Sequence, residues 1–140
     1  MDFVDFEKND FPLLLRPRKG EVYILFYVVN GEEKPFYVGQ TARFSDRMAD
    51  YEDAHFAACT DFKVGQAIRY LRNELRCHIV VKHKESLDRC KEERQIIERL
   101  QQEGFTLLNH CPSYDYKKTS EKEAENLVQQ FCRTHYCSSV

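Results

Sequence analysis

With 140 residues, 42% of them apolar and 31% charged, the chain has the makings of one domain around one core and carries too much Phe and Tyr for wholesale disorder. Its 21 basic and 23 acidic residues give a formal charge of −2, so bulk charge does not mark a polyanion-binding protein, and any such surface has to be local. The opening MDFVDFEKND has neither the basic start nor the apolar run of a secretory signal, and no stretch approaches the length of a membrane span. The expectation is an intracellular protein, cytoplasmic or nuclear, making no use of a membrane and keeping its six cysteines reduced.

Residues 1–19 read as a leader with at most partial order, in which Phe3, Phe6 and Phe11 alternate with acidic spacers before Leu13-Leu14-Leu15 and Arg16-Pro17-Arg18-Lys19. Glu21 to Val29 is rich in β-branched and aromatic residues, and Asn30-Gly31 is a hairpin-turn signal ahead of a second strand over Phe36 to Gly39. Arg43 to Tyr51 has helix-compatible composition. Phe62 to Leu75 sets Val64, Ala67, Ile68, Leu71 and Leu75 on one helical stripe. Cys77 to Val81 fits a further strand, and Ser86 to Glu103 a long amphipathic helix stopped by Gly104. Ser120-x-x-Glu123 is a capping box opening a last helix whose apolar side carries Val128, Phe131 and Cys132. Together these predict a small sheet with helices, residues 113–140 forming a helical extension packed on the domain.

The long helix holds an anomaly. Cys90, Ile97 and Leu100 predict its apolar stripe, and Glu93 falls inside that stripe, whereas Asp88, Glu92 and Glu98 lie off it. An inward carboxylate loses several kcal/mol of hydration unless it meets a cation, a metal or good donors. Either a buried salt bridge to an arginine of another element or a metal-ligand role satisfies that demand. Elsewhere, Arg69, Arg72 and Arg76 recur at i, i+3 and i+7 opposite their helix's apolar stripe, suiting either a phosphate backbone or solvent. Tyr114, Tyr116, Lys117 and Lys118 mix aromatic and basic groups in the same two-sided way. Cys132-x-x-His135-x-Cys137 with Cys111 makes an irregular four-ligand set for Zn²⁺, a competing reading of the chain as a metal module.

Glu21-Val22-Tyr23 on the first strand, Tyr37-Val38-Gly39 on the second with Gln40-Thr41 after it, Arg47 eight residues past Gly39, Glu93 on the later helix and Leu107-Leu108-Asn109 beyond it occur in one order over residues 20–110. This ordered set resembles the GIY-YIG nuclease family. One departure stands out: the family's usual glycine position holds Glu21, with Gly20 one residue earlier; Tyr51 sits four residues after Arg47, where histidine or tyrosine is common.

The resemblance implies an α+β fold, a small three-stranded antiparallel sheet flanked by helices over residues 20–112, and a metal-dependent endonuclease acting on nucleic acid, with DNA as the expected partner. By that likeness Glu93 would hold one Mg²⁺ or Mn²⁺ and Arg47 would grip a phosphate oxygen through its fork of donors. Tyr23 would accept the attacking water's proton with Tyr37 and Tyr51 in support, and Asn109 would brace the site. Arg43, Arg69 and Arg72 are the residues expected to contact nucleic acid, while the leader or the last helix would hold any protein partner. The alternative is the same fold without catalysis, a module that binds nucleic acid or protein.

Overall fold

A computed structural model describes residues 3–11, 20–53 and 55–136. Its elements in chain order are β1 (Glu7–Asp10), β2 (Glu21–Val29), β3 (Glu32–Thr41), α1 (Phe44–Asp53), α2 (Cys59–Asn73), β4 (His78–Glu85), α3 (Arg89–Gln102), a 3-10 turn (Leu108–His110) and α4 (Glu121–Tyr136). The sheet is antiparallel throughout, in the order β1-β4-β2-β3. It has four strands where three were expected. The added strand is β1, from the leader, whose residues EKND carry none of the β-branched or aromatic signal that marks β2. Its pairing is dictated from across the sheet: the edge of β4 offers unpaired backbone groups, and Phe11, just past the strand, is buried. Leu13–Leu15 and Arg16–Lys19 lie outside the described residues.

Residues 21–27 of β2 are all buried, because a central strand has both faces covered and so reads as a continuous rather than alternating apolar run. The Asn30-Gly31 turn has positive φ at both positions, 54° and 78°, as a two-residue hairpin connection requires. Further along, Leu25 opposes Tyr37 but Phe26 opposes Pro35, leaving Phe36 as the extra residue of a bulge. The bulge lets Phe36 and Tyr37 join the same core, and Pro35 is tolerated there because β3 is an edge strand.

Two cores result. Tyr23, Leu25 and Tyr27 face α1, α2 and α4, and Val22, Ile24 and Phe26 face Ile96 and Leu100 of α3. The helix ends follow their caps. Asp88 accepts from the Lys91 backbone N–H at 3.3 Å, Ser120 accepts from Glu123 N–H at 3.1 Å, and Gly104 leaves α3 with φ 95°. α2 stops at Asn73, so Leu75 and Arg76 lie beyond the helix predicted to include Leu75, and Arg76 turns the chain at φ 56°. On α3 the packing stripe is rotated from the expected one: Cys90 is exposed, Ile96 and Leu100 are buried, and Ile97 is only partly so. The last helix buries Ala124, Val128, Cys132 and Tyr136, and the Tyr136 hydroxyl donates to the Thr106 carbonyl at 2.9 Å. None of the helices in the described residues is long and apolar enough to cross a membrane.

Candidate functional site

Three phenols meet at one end of the β2–β3 pair. Tyr23 stands opposite Gly39, and its hydroxyl is hydrogen-bonded to that of Tyr51, which α1 delivers from above the sheet. Tyr37 completes the group, its ring edge-on to Tyr51 at 6.3 Å and tilted against Tyr23 at 6.3 Å. Phe44 packs edge-on to Tyr23 at 5.5 Å and closes the apolar side. Burial pushes the Tyr23 and Tyr51 phenols well above their ordinary value and raises Tyr37 too.

Arg47 shares the face of α1 that carries Tyr51, one turn before it, and Nη1 donates to Asp61 Oδ1 at 2.8 Å in the first turn of α2. Burial pulls this guanidinium's pKa down, but Asp61 and the phenols of Tyr51 and Tyr23 outweigh it, so the net shift is upward. Glu93 lies on α3, which packs on the opposite layer. Its charge raises both Tyr23 and Tyr37 while that of Arg47 lowers both, which puts carboxylate and guanidinium within electrostatic reach of the same two hydroxyls. Glu93 is half-buried, burial lifts its carboxyl above 4.5, and it has no ion pair among the described residues.

Asn109 sits in the 3-10 turn and treats β3 as a strand would: Oδ1 accepts from Val38 N–H at 3.0 Å and Nδ2 donates to the Val38 carbonyl at 2.7 Å. One side chain thereby satisfies both backbone groups of the residue between Tyr37 and Gly39. Tyr23, Tyr37, Arg47 and Tyr51 are thus brought together, with Asn109 behind them and Glu93 within electrostatic reach of Tyr23 and Tyr37.

The expected nucleic-acid contacts divide. Arg43 is well exposed, 3.6 Å from Asp46, close to the start of α1. Arg69 donates to the Glu52 carbonyl at 2.9 Å, and Arg72 is bound to the Phe11 carbonyl with its guanidinium over the Phe11 ring, so both have protein partners. In the loop before α4, Tyr114 is buried against Phe56 and Phe62, whereas Tyr116 is exposed beside Lys117. Of the zinc set, Cys111 and Cys132 are buried in the main core, His135 lies against Phe131 at 4.5 Å, and Cys137 lies outside the described residues. Among the described residues there is no cluster of three or more His, Cys, Asp or Glu side chains fit for a metal ion.

Three features escaped the sequence. Asp61 carries significance only through Arg47. Lys63 is buried and donates to the Cys111 carbonyl at 2.9 Å, tying α2 to the segment after Asn109. His83 is fully buried, its Nδ1 2.7 Å from Glu21 Oε1, its Nε2 2.9 Å from Asn9 Nδ2, and its ring stacked on Phe44 at 4.5 Å. Glu21, the departure from the family motif, is therefore an internal partner of His83. A motif with an unexpected charge was the available signal, and its answer lay on β4.

Comparison with protein-family models, with curated proteins and with solved structures yields no match. The functional reading accordingly rests on the residues and distances above.

Proposed function

We propose that the chain is a metal-dependent endonuclease of the GIY-YIG kind, hydrolysing phosphodiester bonds in nucleic acid with DNA as the expected substrate. The observation that carries this reading is the grouping of three phenols and one guanidinium from three separate elements at the end of an edge strand, with the Glu93 carboxylate of α3 within electrostatic reach of two of the phenols.

The donor set suits a hydrated Mg²⁺ or Mn²⁺. A single half-buried carboxylate without a cationic partner among the described residues is what a hard ion retaining most of its waters takes from a protein. Glu93 would hold it, and when bound such an ion supplies charge neutralisation at the phosphate and at the leaving oxygen. The chain's own groups do the rest. Arg47, steadied on one side by Asp61, presents its remaining N–H groups to a phosphate oxygen. Tyr23 and Tyr51 are held protonated by burial at neutral pH, so their coupled hydroxyls would orient the attacking water by hydrogen bonding rather than stand ready as a phenolate base. Asn109 keeps Tyr37 and Gly39 in register.

The test is a panel of plasmid, branched and single-stranded substrates with Mg²⁺ or Mn²⁺, run beside Glu93→Ala and Arg47→Ala with folding checked by circular dichroism. Metal-dependent cutting by the wild type, lost in both folded variants, is expected. Cutting that survives Glu93→Ala, or its absence from every substrate, overturns the reading. The engagement of Arg47 by Asp61 favours a second reading, a catalytically silent module that binds nucleic acid or protein, which predicts binding without nicking.

A further inference from the structure

Gly20 explains the displaced glycine of the first motif. A Cβ there would stand 2.9 Å from Arg89 Cζ and closer still to Cδ and Nη1, so the strand start is bare where the arginine lies across it. Arg89 occupies the first turn of α3, the positive end of the helix dipole, where a cation costs helix stability rather than adding to it. Its place needs another reason. Nε donates to Gln40 Oε1 at 2.9 Å, and Gln40 directly follows the glycine over which Tyr23 lies. One hydrogen bond and one glycine seat thus fix the plane of the guanidinium, while its Nη atoms have no hydrogen-bond partner among the described residues.

Arg89 also precedes Glu93 by four residues, so the two share one face of α3. No ion pair joins them among the described residues. The neighbouring carboxylate, Glu92, is taken by Ser86 at 2.6 Å and Lys84 at 3.1 Å. A held, half-exposed guanidinium fork beside an unpaired carboxylate is an arrangement for an anion that arrives together with a cation.

We propose that Arg89 is a second phosphate-binding residue, gripping a phosphate next to the one at Glu93 and Arg47, so that the site takes a polynucleotide strand rather than a lone phosphodiester. The choice of scissile phosphate rests on the nuclease reading; the binding of a phosphate by Arg89 does not.

The experiment measures binding of a fluorescent oligonucleotide by the full chain, without divalent metal, across a series of salt concentrations, for wild type, Arg89→Gln and Gly20→Ala. Arg89→Gln is expected to weaken binding roughly tenfold and to reduce the slope of log affinity against log salt by about one. Gly20→Ala, which displaces the arginine from its seat, shifts affinity the same way. If Arg89→Gln lowers Tm, Arg89→Lys is read instead, and it retains the salt slope but loses kcat/KM on long strands. An unchanged affinity and slope, or Arg89→Lys equal to wild type, overturns the proposal. Wild-type cutting with no effect at Arg89 removes this proposal and leaves the nuclease standing; a lost slope without cutting by any protein does the reverse.

Discussion

The ring of Tyr23 lies across the backbone of Gly39, so closely that a Cβ at that position would stand 2.9 Å from Cε2 and nearer still to Cζ and the hydroxyl. Tyr23 and Gly39 are register partners on β2 and β3, and only the missing side chain lets the hydroxyl cross the edge strand to meet Tyr51. Gly39→Ala must therefore move Tyr23 or bend β3. The expected cost is about 1–3 kcal/mol of stability, the range for overpacking a filled site, read as a lower denaturant midpoint. Cleavage should fall further than stability, because the displaced group is the hydroxyl itself. A Gly39→Ala protein with wild-type midpoint and activity would show that the close approach does not matter.

Some of this was legible in the chain and some was not. The β2–β3 hairpin announces itself through a β-branched run and an Asn-Gly turn, both local signals, and the three phenols and Arg47 lie on or just after it. Glu93 was legible as an inward-leaning carboxylate, although the neighbours that define its face are Ile96 and Leu100 and not Cys90. What the sequence hides is contact between distant elements. β1 is a strand because β4 has an edge to offer, Asp61 matters because Arg47 reaches it, and Gly20 matters because Arg89 lies on it. No window of residues carries those facts.

Glu93 sits where activity and stability oppose each other. Burial raises its carboxyl above 4.5 in the folded state, so below about pH 4.5 it is neutral in both states and nothing is lost; as pH rises through the raised value, its ionisation draws on stability. Glu93→Gln should then match wild type in acid and become the more stable protein toward neutral pH. Added Mg²⁺ should close that gap by stabilising only the wild type. Chemical denaturation from pH 4 to 8, with and without Mg²⁺, measures both effects. A gap that widens in acid contradicts the burial of this carboxylate.

Arg47 and Asp61 make a different division. Their side chains are 37% and 17% exposed, so solvent screens the pair, and Asp61→Asn should cost no more than about 1 kcal/mol. The amide still accepts a hydrogen bond but no longer anchors the guanidinium by charge. Roughly tenfold in kcat is expected to be lost with KM little changed, because Arg47 must be found in place when the phosphate charge develops. If Asp61 instead only competes with phosphate for Arg47, the same variant binds oligonucleotide more tightly and KM falls, a result that reverses its role.

The Glu21–His83 pair sits beside this apparatus on the same face of the sheet, since Tyr23 is the register partner of His83 on one side and of Gly39 on the other and Phe44 packs on both rings. Nδ1 of His83 meets Glu21 Oε1 at 2.7 Å and Nε2 meets Asn9 Nδ2 at 2.9 Å, so the ring ties β4 to both β2 and β1. Both residues are fully buried. Removing the imidazole takes from the buried Glu21 carboxylate its partner on β4, and His83→Leu is expected to cost about 1–3 kcal/mol. Replacing both partners, Glu21→Val with His83→Leu, removes the buried carboxylate together with the imidazole and should recover part of that loss, so a double-mutant cycle gives a large coupling. In each protein that lacks His83 the Asn9 contact also goes, and amide exchange along Glu7–Asp10 should quicken even where global stability has returned. Additive single costs would mean that the pair is not what holds this layer. Restored stability with activity still low would place the effect on Tyr23, whose setting depends on the strand that His83 ties down.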